Sequence, residues 1–192
     1  MECDQLHVWQ AVGALKGVAT VGLAGVGTAV AALAGVGKSA LDAYATYEQA
    51  VGGVDTLFKD ASGTVQKYAA EAYKNAGVSA NEYMTQVTSF SASLISSLGG
   101  DTAKAAELGN TAMIDMSDNA NKMGTDIESI QQTYQSLARG NYAMLDNLKL
   151  GYGGTKSEME RLIQDANKVK QANGEMGDLS IDKFSDVVQA IH

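Results

Sequence analysis

Few residues in this 192-residue chain have types and spacings that could do chemistry. The first candidate is Ala32 to Ser39, ALAGVGKS, which fits the relaxed phosphate-loop pattern with alanine at the first glycine position. Such a loop cradles phosphate with backbone N–H groups at a helix N-terminus, and Lys38 would reach the anion. It needs a buried strand before it and a later strand ending in Asp to hold magnesium. The preceding residues are a Gly/Ala-rich run and no such later strand is evident, so the pattern argues weakly for nucleotide binding. The second candidate is Asp115 with Asp118, three apart and able to share a helix face, whereas Glu158 and Glu160 flank Met159 and point apart. Paired carboxylates joined by no His or Cys are usually solvated charge. The Ser/Thr-rich patch from Thr85 to Ser97 falls on the polar side of an amphipathic helix with no base nearby. His7 and His192 lie at opposite ends, and Cys3 is the single cysteine. Neither a histidine or cysteine metal site nor an intrachain disulfide is expected. The expectation is a protein that is not an enzyme, with no catalytic residues, no cofactor and no metal.

The elements that would position these residues read as all-α. The chain has no proline and 21 glycines; proline breaks helix interiors, so glycine does the punctuation here. Leu41, Tyr44, Val51, Val54 and Phe58 keep a helical stripe, and Val65, Tyr68 and Ala72 mark the next, ending near Gly77. Ser79 with Glu82, Thr125 with Glu128 and Thr155 with Glu158 have capping-box spacing, and Asp101 follows Gly99-Gly100 as a further cap. Tyr83, Val87, Phe90, Leu94 and Leu98 recur at helical spacing, as do Ile127, Ile130, Tyr134 and Leu137, and Met159, Leu162, Ile163, Ala166 and Val169. Met113, Met116, Ala120 and Met123 form a short heptad-like seam that could serve as a soft contact surface or as ordinary packing. Asn141 to Leu150 reads as a short helix or turn, and Tyr142 and Tyr152 would wedge the following glycine turn against a helix. Ala and Gly bury little area each, so a shallow core and helices packed along one another are expected rather than one globule. The last stripe, Ile181, Phe184, Val188 and Ile191, has no stop signal before His192, so the chain reads as a fragment of something longer or a broken reading frame.

Gly17 to Gly37, GVATVGLAGVGTAVAALAGVG, carries no charge between Lys16 and Lys38. A bilayer-spanning helix needs about 20 apolar residues, and small residues four apart let helices approach closely. Three readings compete: a membrane-insertable helix, a buried helix of a soluble oligomer, and a signal peptide. The last lacks the basic start it would need. The chain thus divides into residues 1–37, an apolar Gly/Ala-rich helical segment, and residues 38–192, a series of short to medium amphipathic helices separated by glycine turns. A net charge of −8 argues against a general nucleic-acid binder.

Four segments carry a family resemblance: YEQAVGGVDTLF (Tyr47–Phe58), YAAEAYKNAGVSANEYM (Tyr68–Met84), FSASLISSLGGDTAKAAELGNTAMIDMSDNANKMGTDI (Phe90–Ile127) and YQSLARGNYAMLDNLKLGYGGTKSEMERLI (Tyr134–Ile163). Together they resemble the N-terminal region of tail tape measure proteins from long-tailed phages and prophages of Gram-positive bacteria. The resemblance is collinear from about Tyr44 to Ala166. It implies a helical virion component lying in the tail tube, which sets tail length during assembly and leaves the tail at DNA ejection. It implies partners in the tail tube and tail-assembly chaperone proteins, in copies of itself, and in the host membrane during ejection, with DNA passing unbound. A helix rises about 1.5 Å per residue, so a single helix of this length would span about 290 Å, short for a long tail. The chain therefore reads as the N-terminal part of a tape measure or a prophage remnant. The competing class is a secreted or membrane-active helical pore former, resting on Gly17–Gly37 and predicting membrane insertion by the isolated chain.

Overall fold

The computed structural model describes residues 38–192, with side chains from Tyr44 onward. The Gly17–Gly37 segment and most of ALAGVGKS lie outside the described residues, and the readings made of them stand as expectations. Among the described residues all regular structure is helical: α1 (Lys38–Phe58), α2 (Ser62–Asn75), α3 (Ala80–Ser97), α4 (Thr102–Met123), α5 (Ile127–Leu137), α6 (Lys156–Ala172) and α7 (Phe184–Ile191). Single 3-10 turns at Lys59–Ala61 and Leu145–Leu148 complete the order. Among those residues no helix is long and apolar enough to cross a membrane.

Local chemistry sets most helix ends. Ser79, Asp101 and Thr155 each accept a hydrogen bond from the backbone N–H three residues on, satisfying a donor that the helix itself cannot. The reciprocal half of the capping box is not used. The Glu82 carboxylate accepts from Gln86, and that of Glu158 accepts from the Gly153 N–H. The expected box at Thr125 and Glu128 is displaced by one residue. Asp126 is the cap of α5, accepting from the Ser129 N–H at 3.0 Å, while the Thr125 hydroxyl donates to the Asn147 carbonyl. A carboxylate makes the stronger charge-assisted cap, which leaves the neighbouring threonine for a tertiary bond. At the other ends, Gly124 adopts a left-handed conformation that closes α4. Lys149 reaches the same terminus, with Nζ 3.0 Å from the Met123 carbonyl, where a cation complements the helix dipole.

Residues 46–192 form one unit with one contiguous core. This corrects the expectation of helices laid side by side around a shallow interior. Several large side chains supply the centre of the core: Phe58, Tyr83, Met84, Leu94, Met113, Met116, Ile130 and Tyr134 are fully buried, while Tyr44, Tyr47, Tyr73 and Met176 are exposed. Phe90 lies at 6.3 Å from Tyr134 and 6.2 Å from Phe184 between ring centroids, joining three helices. The small residues sit at the crossings, where they shorten interhelical distances instead of enlarging the core. Helix α4 is central: it touches α2, α3, α5, α7 and the Lys59–Ala61 turn, while α6 packs on α7. The methionine seam is part of this interior. Met113 and Met116 are buried and only Met123, 43% exposed, reaches the surface, so the seam is ordinary packing.

Hydrogen bonds hold Gly151, Tyr152 and Gly153 of the glycine turn Gly151–Gly154. Arg161 donates to the Gly151 carbonyl and to Glu158, and its guanidinium lies 4.6 Å from the centre of the Tyr152 ring. The Tyr152 hydroxyl donates to Asp165 at 3.0 Å, wedging the turn on α6 as the sequence suggested. Gly154 is packed against backbone: a Cβ there would lie 2.2 Å from the Ala143 carbonyl oxygen, whereas one on Gly153 would meet only Glu158 Cγ at 3.6 Å. Gly154→Ala should therefore destabilise the unit by about 3 kcal/mol, the upper range for overpacking, and Gly153→Ala by much less. Urea unfolding of the two variants checks this; equal midpoints would show that the Ala143 contact yields freely.

Candidate functional site

The described residues carry one polar constellation built by distant parts of the sequence. Asp115, Asp118, Asn119 and Lys122 rise along one face of α4. Tyr134 comes from α5, Leu148 and Leu150 from the loop that follows it, and Ile191 and His192 from the end of α7. Together they line a cavity of about 340 Å³. Helical spacing puts Asp115, Asp118, Asn119 and Lys122 on one side of α4, as the sequence allowed for the two aspartates. Contrary to the expectation of carboxylates with no histidine beside them, one joins Asp115. His192 Nδ1 lies 3.0 Å and 3.2 Å from the two carboxylate oxygens of Asp115, across a separation of 77 residues. Docking of α7 on α4 makes the contact, and no local pattern announces it.

The loop wall is held by side chain to backbone bonds. Asn119 Nδ2 donates to the Leu148 carbonyl at 2.7 Å, and Thr125 donates to that of Asn147. Thr133 donates to the carbonyls of Ser129 and Met144 and accepts from Asn147 Nδ2. Lys122 pairs with Asp118 at 2.9 Å on the exposed rim, a contact of small energetic weight. Two atoms of the site remain buried with no hydrogen-bond partner among the described residues: Asn119 Oδ1 and the Tyr134 hydroxyl. The amide orientation of Asn119 is fixed by its bond to Leu148, so the oxygen is the free end. Burial pushes the Tyr134 phenol well above its usual range, and the nearby Asp115 carboxylate pushes it further.

The other sequence candidates scatter. Glu158 turns to Gly153 and Arg161 while Glu160 pairs with Lys156, so they share no chemistry. The Ser/Thr patch is less exposed than its spacing suggested: Ser91 is fully buried and donates to the Val87 carbonyl, and Ser97 Oγ accepts from the Ser185 N–H of α7. Beside it runs a wider groove of about 950 Å³ lined by Ser93, Ser96, Tyr142, Lys156, Lys183 and Phe184 among others. No cluster of three metal-binding side chains occurs among the described residues. No family model, curated protein or solved structure matches the chain.

Asp115 carries the site's pH dependence. Desolvation raises its pKa, and the hydrogen bond and charge of His192 offset this only in part; Asp118 raises it further and Lys122 lowers it. A carboxyl with a higher pKa folded than unfolded holds its proton more tightly in the folded state. Its contribution to stability is full below the unfolded value, about 3.9, and is lost as pH rises through the folded value. Asp115→Asn, which cannot ionise, should melt at a higher temperature than the parent at pH 7, with the gap closing below about pH 4. Thermal melts at both pH values test this; a variant less stable at pH 7 would mean that the His192 contact outweighs desolvation.

Proposed function

We propose that this chain is the N-terminal part of a phage or prophage tail tape measure protein, a structural virion component rather than an enzyme. The observation that carries the reading is the collinear resemblance from about Tyr44 to Ala166. The way its motif residues are used supports it. In LGYGGTKSEMERLI (Leu150–Ile163), Gly154, Thr155, Glu158 and Arg161 all serve to build a turn and start a helix. In LGGDTAKAAELGNTAM (Leu98–Met113), Asp101 caps α4 and Gly109 sits at a helix crossing. Motifs spent on architecture fit a family whose work is architectural.

On this reading the helices of residues 46–192 form a folded head, not a stretch of ruler. A ruler templates length through the rise of an extended helix, about 1.5 Å per residue, and residues folded back on one another contribute little to it. Length-setting then falls to extended helical sequence in the parent protein. The head would offer surfaces for tail-tube and tail-assembly chaperone proteins and for other copies of the chain in the tail lumen. Its acidic balance limits adhesion to passing DNA, and residues 1–37 would meet the host membrane on ejection.

Particles induced from a lysogen carrying the gene should contain peptides of this chain by mass spectrometry. Disrupting the gene should yield heads without tails of defined length. Normal tails after disruption, with the peptides found only in the cell envelope, would overturn the proposal in favour of a membrane-active protein.

A further inference from the structure

The Asp115 cavity has the makings of a ligand site that no structural role explains. Tyr134 is 1% exposed and its hydroxyl has no partner among the described residues, nor does Asn119 Oδ1. Leaving such groups buried and unpaired is destabilising, and a phenylalanine would fill the Tyr134 ring position without that cost. Both atoms accept hydrogen bonds, as do the carboxylates of Asp115 and Asp118. The remaining walls are apolar: Met123, Leu148, Leu150 and Ile191. A ligand suited to these walls carries several N–H donors on a positive head and an aliphatic stem.

We propose that this cavity binds a primary ammonium group on an aliphatic chain. The ammonium donates to Asp115, Asn119 Oδ1 and the Tyr134 hydroxyl, and its stem lies along Leu148, Leu150 and Ile191. An ammonium has three donors and no acceptor, which matches three acceptors of which two are otherwise unpaired. The carboxylates of Asp115 and Asp118 face the single ammonium of Lys122, and a second cation balances the charge. The acceptors are closed off from solvent, so the ligand must displace part of the wall. The side chain of His192 is 64% exposed and, among the described residues, bonds only to Asp115. The ligand therefore replaces the imidazole on that carboxylate.

The full chain, labelled with nitrogen-15, would be titrated at pH 8 and constant ionic strength with three probes. These are 1,5-diaminopentane, N-acetyl-lysine methylamide and tetramethylammonium. Saturable shifts of the Asn119 side-chain amide, Leu150 and His192 with either primary amine, and none with tetramethylammonium, are expected. Tighter binding of the diamine indicates a free amine as the natural ligand, and tighter binding of the lysine derivative a lysine side chain of a partner protein. Tyr134→Phe should weaken binding at least tenfold, and His192→Ala, which removes the competitor, should strengthen it. Should Tyr134→Phe not fold, Asp115→Asn serves as the second variant and should show a similar loss. Equal shifts from tetramethylammonium would reduce the site to general acidic attraction and overturn the proposal. So would the absence of saturation, or unchanged affinity in the variants.

Discussion

Gly109 sets the spacing on which the rest of the unit depends. A Cβ at this position would lie 2.9 Å from Val87 Cγ2, so α3 and α4 meet with backbone against side chain. Ala105, Ala106 and Ala112 are buried on the same helix and keep the approach close along its length. Glycine in a helix interior costs roughly 1 kcal/mol relative to alanine. The close contact offsets that cost through the dispersion gained when Val87 and Leu94 pack on α4 with no gap between. Once α3 and α4 are locked, the remaining faces of α4 are assigned. Met113 and Met116 point into the core, and Asp115 and Asn119 are left beside it, where α5 and α7 dock.

The polar cavity follows from that arrangement. A helix touching neighbours on several sides has little circumference left for water. Asp115 stands four residues before Asn119 and one before the buried Met116, and so lies at the edge of the core with its side chain 18% exposed. The segment after α5 cannot move away, because Asn119, Thr125 and Lys149 fasten it to α4 or its end. Two aspartates that a sequence window reads as solvated charge thus become the wall of a cavity. One of them has its pKa raised by desolvation that a histidine offsets incompletely.

What the sequence revealed and what it hid separate by distance along the chain. Caps act within about four residues, so Ser79, Asp101 and Thr155 are legible, and so are the stops at Gly77 and Gly99-Gly100, all of which have positive φ. The inward faces of α3, α5 and the first half of α6 were legible for the same reason, since period alone defines them. Thr125 is not the cap because the adjacent Asp126 carboxylate takes that place, and its hydroxyl goes instead to a carbonyl 22 residues away. Ser91 read as polar surface, yet its hydroxyl bonds to the turn before it and so can be buried. The meeting of His192 with Asp115 and the contact of Gly154 with Ala143 depend on how helices dock, which no window of sequence contains.

The distribution of these interactions bears on how the unit behaves under load. Ion pairs such as Lys122–Asp118 and Lys168–Asp165 join residues three or four apart on exposed helix faces and steady single helices, whereas His192–Asp115 joins two helices. Contacts between helices rest instead on small side chains, which bury little area each, and on a few aromatic and methionine anchors. Cohesion is therefore strong where Gly109 and Phe90 bring helices together, and the helices themselves are stabilised locally by their caps. Helices this short hold mainly through the packing of their inward faces, so under load the packing and the helices would be lost together.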